Sequence, residues 1–112
     1  MVTRPEVLEN DRQLAELVHR LVGVFQPERL YLFGSRGRNE ADPDSDYDLL
    51  MVLAQFEAPA YRIAQQAHSL VWGLGISADI LVWSRAEFER RLPLKASLPA
   101  IVAREGMLLH AA

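Results

Sequence analysis

Three short, largely apolar segments limit the possible folds of this chain more than any other feature of its sequence. They cover residues 30–33, 48–53 and 78–83. Short apolar runs that end at glycine, proline or polar residues are typical of buried β-strands. The stretches between them carry apolar residues every three or four positions, which is the period of an amphipathic helix. The sequence therefore predicts alternating helices and strands.

The helices can be placed from this spacing and from the signals at their ends. Ser84 with Glu87 forms a capping-box pattern at the start of one helix, and Ser97 is a second candidate N-cap. Gly106 is the expected stop of the last helix. The predicted helices cover residues 14–25, 60–71, 85–92 and 98–105, and an edge strand is expected over 107–110.

The order of elements, α-β-loop-β-α-β-α-α, predicts an α/β chain and more closely an α+β two-layer domain. We expect helices packed on one face of a small mixed β-sheet. A length of 112 residues favours a single domain over residues 1–112.

Charge and composition exclude several classes of protein. With a net charge of −3, the chain is a poor candidate for tight nucleic-acid binding through phosphate contacts. It contains no cysteine, so disulfides and thiolate metal sites are impossible. It shows neither the apolar core of a signal peptide nor an apolar run long enough to cross a bilayer. We therefore expect a cytoplasmic protein that acts without a membrane.

A glycine–serine pair follows the first predicted strand directly. Gly34 allows the backbone to approach a ligand closely, and the Ser35 hydroxyl supplies a further hydrogen-bond donor. Backbone N–H groups that open a helical turn at this point would favour a phosphate. Arg36 and Arg38 could neutralise phosphate charge, although both are also compatible with simple surface counter-charges. The pair therefore predicts a phosphate-binding loop.

Three aspartates supply candidate metal ligands. Asp46 and Asp48 are two positions apart at the start of the second strand, so both face one side of it. Asp79 lies in the third strand, where a charge is costly unless it is paired or bound to a metal. If the two strands are neighbours, the three carboxylates reach the same Mg²⁺ ions, and Asp79 orients or deprotonates an attacking hydroxyl. Two such ions about 4 Å apart can clamp the attacking and leaving oxygens of a phosphoryl transfer.

This combination resembles the minimal nucleotidyltransferase family (MNT, or MntA-like antitoxins) of the DNA polymerase β-like nucleotidyltransferase superfamily. The family signature is a glycine–serine pair, ten residues, and then Asp-x-Asp. Here it is met by Gly34–Ser35, residues 36–45 and Asp46–Asp48. The resemblance implies the superfamily's fold, with the triphosphate of ATP held on the glycine–serine loop. It also implies that the Asp46–Asp48 pair and Asp79 are catalytic ligands of Mg²⁺.

The resemblance also implies an activity and a partner. Members of the family transfer AMP from ATP, often to a tyrosine of a HEPN-domain ribonuclease toxin, and so act as the antitoxin of the pair. The alternative is a non-catalytic module that neutralises its partner by occlusion. Asp46→Ala separates these two hypotheses, because only an enzyme loses its protective effect. The sequence leaves the acceptor open between a protein tyrosine, a nucleic-acid end and a small molecule.

Overall fold

The computed structural model describes residues 5–37 and 45–112 of the chain. Within these ranges, no helix is both long and apolar enough to cross a membrane. The predicted strands and the four predicted helices are all present, and a six-residue helix that is too short to show a helical period precedes them. The elements are α1 (Pro5–Asn10), α2 (Arg12–Phe25), β1 (Arg29–Phe33), α3 (Gly34–Gly37), β2 (Tyr47–Leu53), α4 (Ala60–Ser69), β3 (Ala78–Ser84), α5 (Arg85–Arg91), α6 (Leu98–Glu105) and β4 (Met107–Ala111).

The four strands form one mixed sheet in the order β3-β2-β1-β4. β2 runs parallel to β3, while β1 pairs antiparallel with both β2 and β4. The parallel pair is joined through α4, because parallel neighbours need a crossover connection. This arrangement confirms the predicted mixed sheet and the α+β fold class, and it places β2 beside β3.

Helices cover both faces of this sheet, whereas the sequence analysis placed them on one face. Leu49 and Met51 of β2 pack with α2 and α4. Leu50 and Val52 point the other way and pack with Phe88 of α5 and with α6. The reason is that β2 is apolar on both sides beyond its first two residues, so neither face can be left in water. We refer to the two sides as the α2–α4 face and the α5–α6 face.

Two predicted helix starts are confirmed at the level of side chains. The Ser84 hydroxyl accepts a hydrogen bond from the N–H of Glu87 at 3.2 Å, and the Ser97 hydroxyl accepts one from the N–H three residues further on at 3.3 Å. The Glu87 carboxylate departs from the predicted capping box, because it pairs with Arg90 and Arg91 of its own helix. These caps fix the starts of the two helices that cover the α5–α6 face.

Candidate functional site

Two of the three predicted carboxylates, Asp48 and Asp79, lie at neighbouring positions at one end of the two parallel strands. In the register of the sheet, Asp48 lies beside Asp79 of β3 on one side and beside Phe33 of β1 on the other. Side chains at paired positions point to the same face of a sheet. For Asp48 this is the α5–α6 face, because it lies two positions before Leu50. The structure therefore makes β2 and β3 neighbours, which is the condition under which the sequence places the two aspartates in one site.

Gly34 opens α3 directly beside the Asp48 carboxylate. Its φ angle is +70°, a left-handed conformation that favours glycine. A Cβ added at this position would overlap Oδ2 of Asp48. Ser35 follows within α3 and is half-buried. The positive φ therefore favours glycine at the start of the predicted phosphate loop, and any larger residue there would also displace the Asp48 carboxylate.

The charges around Asp48 favour a positive ion at this point. Burial raises the pKa of the Asp48 carboxyl above its ordinary value, and the carboxylates of Asp79 and Asp46 raise that pKa further. Asp46 lies one position before β2 and is exposed, as is Asp79. Each negative neighbour disfavours the ionised form of Asp48. A bound cation would invert this effect, because its charge exceeds that of the nearby groups.

The donors of this site fit a hard cation. All three side chains are carboxylates, which are ligands that Mg²⁺ prefers. Within residues 5–37 and 45–112, no three acidic, histidine or cysteine side chains already converge as a metal-binding group. Asp46 and Asp79 are exposed, so rotation about their side-chain bonds can bring their oxygens toward an ion near Asp48. Binding of one ion by all three carboxylates would therefore require changes of side-chain rotamer.

Arg36 lies on the other side of β2 from Asp48. Its guanidinium stacks over the Tyr47 ring, 3.8 Å from the ring centre, and its Nε donates a 2.9 Å hydrogen bond to the Ser45 carbonyl. Tyr47 belongs to the apolar cluster of the α2–α4 face. Arg36 therefore lies on the α2–α4 face of β2, opposite the face to which Asp48 points. Arg38, the other predicted phosphate ligand, lies outside the described residues.

The start of β2 is held by a hydrogen-bonded group that the sequence did not predict. The Tyr47 hydroxyl donates a short hydrogen bond to the Asp11 carboxylate, which also accepts the N–H of Leu14 at 3.1 Å as the N-cap of α2. Burial, and then the hydrogen bond to Asp11, raises the pKa of Tyr47 to about 12. Two signals could have revealed this group. Asp11 precedes the helical period as an N-cap does, and Tyr47 must turn away from the aspartates on either side of it.

Two further glycines allow close backbone contacts next to the glycine–serine loop. A Cβ added at Gly37 would lie 2.7 Å from the Leu32 carbonyl oxygen, and one at Gly106 would lie 2.9 Å from the same atom. The end of β1, the end of α3 and the C-cap of α6 therefore pack together through backbone atoms. Neither glycine has a positive φ. The sequence predicts Gly106 as the stop of the last helix, and the structure confirms it as the C-cap of α6, but its contact with the end of β1 leaves no sign in the sequence.

The chain resembles known proteins over most of its length. The sequence profile of the nucleotidyltransferase domain family matches residues 11–105. A candidate nucleotidyltransferase from Sulfolobus solfataricus is 23% identical with a TM-score of 0.61, over 87% of this chain and 76% of that one. A toxin–antitoxin structure with AMP-PNP is 19% identical with a TM-score of 0.54, over 90% of this chain and 73% of that one. These two likenesses show the fold. The sequence has no significant match among curated proteins.

Replacing Gly34 with alanine should lower the free energy of unfolding by about 2 kcal/mol, because the new methyl group meets Asp48 and the backbone is held at a positive φ. Gly23→Ala is the matched control. A Cβ at Gly23 meets nothing within 4 Å, and the residue lies inside α2, so this variant should gain about 0.5–1 kcal/mol. Urea unfolding measures both values. Equal effects in the two variants would contradict the close packing of Gly34 on Asp48.

Replacing Asp48 with asparagine should stabilise the metal-free protein at pH 7 by up to about 1 kcal/mol, since it removes a carboxylate that Asp79 and Asp46 disfavour. The sign follows from the pKa. Because folding raises the pKa of Asp48, stability falls as the pH rises from the ordinary carboxyl pKa through the raised folded-state value, and the full cost is present above that value.

Unfolding temperatures with and without Mg²⁺ test whether the ion relieves this repulsion. Mg²⁺ should raise the unfolding temperature of the wild type and barely change that of Asp48→Asn, because the ion loses a charged ligand. Glu57→Gln removes an exposed carboxylate beyond the far end of β2 and should change neither quantity. An Asp48→Asn variant that is less stable than the wild type without metal would contradict the repulsion described above.

Proposed function

The chain belongs to the nucleotidyltransferase domain family, and on that premise we propose that it transfers AMP from ATP to a hydroxyl group. The observation that carries the proposal is the position of Asp48 between Gly34 and Asp79. On one side, the backbone of the glycine–serine loop lies against this carboxylate, and its N–H groups suit a phosphate. On the other side, a second carboxylate on the neighbouring strand suits a divalent cation shared with phosphates.

The site residues divide into phosphate-binding and ion-binding groups in this proposal. The backbone of Gly34 and the hydroxyl of Ser35 bind the phosphates of ATP. Asp46, Asp48 and Asp79 would hold one or two Mg²⁺ ions. When bound, Mg²⁺ neutralises the charge of the phosphates and of the crowded carboxylates. Because the phosphates and the carboxylates are both negative, the ion would be needed for the nucleotide to share this site with the three aspartates.

Asp79 has the exposure that proton transfer from an incoming acceptor requires. It is exposed on β3, an outer strand of the sheet, so an acceptor can reach it from solvent. Its carboxylate accepts the proton of the acceptor hydroxyl while that oxygen forms a bond to the α-phosphorus of ATP. The bond from the α-phosphorus to the pyrophosphate oxygen breaks, and pyrophosphate leaves. Alignment of the two reactants and neutralisation of charge account for most of the acceleration.

Arg36 acts as a support for the loop in this proposal. Its contacts with Tyr47 and with the Ser45 carbonyl connect α3 to the segment that enters β2. The hydrogen bond from Tyr47 to Asp11 continues this connection to the start of α2. These contacts hold the glycine–serine loop in position relative to the aspartates, from the opposite side of the strand.

We further propose that the acceptor is a tyrosine of a HEPN-type toxin and that AMP transfer neutralises this toxin in the cytoplasm. The resemblance of the sequence signature to the MNT antitoxins supports this identity. The fold shared with a toxin–antitoxin structure that contains AMP-PNP supports it as well. A net charge of −3 disfavours a nucleic-acid acceptor, which would be held through its phosphates.

Intact-mass spectrometry of a co-purified partner tests the proposed function. After incubation with ATP and Mg²⁺, the mass of the partner should rise by one or more AMP units, and pyrophosphate should appear in equal amount. Asp46→Ala and Asp48→Ala should slow the transfer by about 100-fold or more, because each removes a ligand that neutralises developing charge. Glu57→Ala removes an exposed carboxylate distant from the site and should keep the wild-type rate.

Two results would contradict the proposal in different ways. A partner that is bound and inhibited without gaining AMP would favour neutralisation by occlusion. A partner that gains AMP equally fast with Asp46→Ala and Asp48→Ala would remove the carboxylates from the reaction.

A further inference from the structure

A groove runs along the outer side of β3, between that strand and α4. Two adjoining hollows of about 470 and 380 Å³ form it, and they share His68. The first hollow is lined by Asp79, Leu81 and Tyr61 among others, and the second includes Trp72. We refer to the two hollows together as the β3-edge groove. Ala78 lines the second hollow and Asp79 lines the first, so a carboxylate of the proposed site lies close to where the two hollows adjoin.

α4 turns one of its faces toward this groove. Tyr61, Gln65 and His68 are four and three positions apart, so they lie on one side of the helix, and all three are exposed. Ile63 and Ala67, on the other side, are buried in the core. The helix is thus fixed by one face and lines the groove with the other.

The outer edge of β3 offers backbone groups to a further strand. The Tyr47 N–H donates a 2.9 Å hydrogen bond to the Ser77 carbonyl. The backbone N–H and C=O groups of every second residue from Ser77 onward therefore point toward β2. Ala78, Ile80 and Val82 therefore direct their N–H and C=O groups away from β2. In the sheet formed by the described residues, β3 is an outer strand. Such a row of backbone groups is a template for strand addition.

The side chains of the β3-edge groove suit a polypeptide. Three of the five large apolar side chains that are exposed in the described part of the chain lie here: Trp72 at 85%, Tyr61 at 62% and Leu81 at 39%. Tryptophan and tyrosine are the residues most often responsible for affinity at protein interfaces. Among the described residues that line the two hollows there is no lysine or arginine, and Asp79 adds a negative charge. A phosphate-rich nucleic acid would need the opposite charge.

We propose that the acceptor is a polypeptide segment that adds to β3 as a further strand and so presents a hydroxyl side chain to Asp79. This inference rests on the proposed function, which gives Asp79 its role as proton acceptor. Backbone hydrogen bonds to Ile80 and Val82 supply affinity, and contacts with Tyr61 and Trp72 select the segment. The acceptor hydroxyl is positioned by the register of the added strand, because Asp79 belongs to the strand that receives it.

Amide hydrogen exchange followed by NMR tests this docking without nucleotide or metal. The probe is a short capped peptide with one central tyrosine flanked by alternating valine and threonine. At saturating peptide, exchange of the Ile80 and Val82 amides should slow by about tenfold or more, while exchange in β4, the other outer strand, should not change. Tyr61→Ala should weaken binding by about tenfold. Val24→Ala, which truncates an equally exposed residue on α2, should bind as the wild type does.

Several outcomes would overturn the inference. These are slowed exchange in β4 instead of β3, no slowing with peptide up to about 1 mM, and unchanged affinity of Tyr61→Ala. Displacement of the peptide by a single-stranded oligonucleotide would assign the groove to nucleic acid. Because the peptide is studied without ATP, failure here leaves AMP transfer to be judged by mass spectrometry. Conversely, slowed exchange in β3 without any AMP transfer would retain the docking site and remove the proposed chemistry.

Discussion

The crowding of negative charge around Asp48 is the physical constraint on which the site depends. Asp48 is partly buried between a loop backbone and a second carboxylate, and both burial and its neighbours raise its pKa. A folded protein keeps such an arrangement at the expense of stability, and functional sites are where this expense is usually found. The same features that disfavour the empty carboxylate favour a divalent ion shared with phosphates. The glycine at position 34 allows the loop backbone to lie against this carboxylate.

Contacts on the α2–α4 face and at the end of β1 hold these crowded carboxylates in place. Asp11 caps α2 and binds Tyr47, whose ring lies under Arg36, so one connected group ties α2, α3 and β2 together on the α2–α4 face. Gly37 and Gly106 allow α3 and the end of α6 to close on the end of β1. The reacting groups are thus carried by strands and by a short helix whose positions are fixed by packed neighbours. Support of this kind keeps side chains near a productive geometry.

Most of the fold could be predicted from the sequence, because short apolar strands and amphipathic helices leave clear periods. The pairing of Asp48 with Asp79 could be predicted only if β2 and β3 are neighbours, and spacing along the chain does not reveal which strands are neighbours. The sequence predicts α5 and α6 themselves but not that they cover a second face of the sheet, because a run of apolar residues in β2 does not say what covers each side. From its place beside the glycine–serine pair, Arg36 is predicted as a phosphate ligand or a surface counter-charge. Its partner, Tyr47, lies in a different element, and only the fold brings the two together.

Binding of Mn²⁺ in place of Mg²⁺ tests the central claim most directly, because the paramagnetic ion broadens the NMR signals of nearby amides and takes the same oxygen ligands. With a non-hydrolysable ATP analogue and a small amount of Mn²⁺, the amide signals of Gly34, Asp48 and Asp79 should broaden first. Those of Glu57, beyond the far end of β2, should stay sharp. Broadening that is centred elsewhere on the protein, or that is unchanged in Asp48→Asn, would show that these carboxylates do not form a metal–nucleotide site.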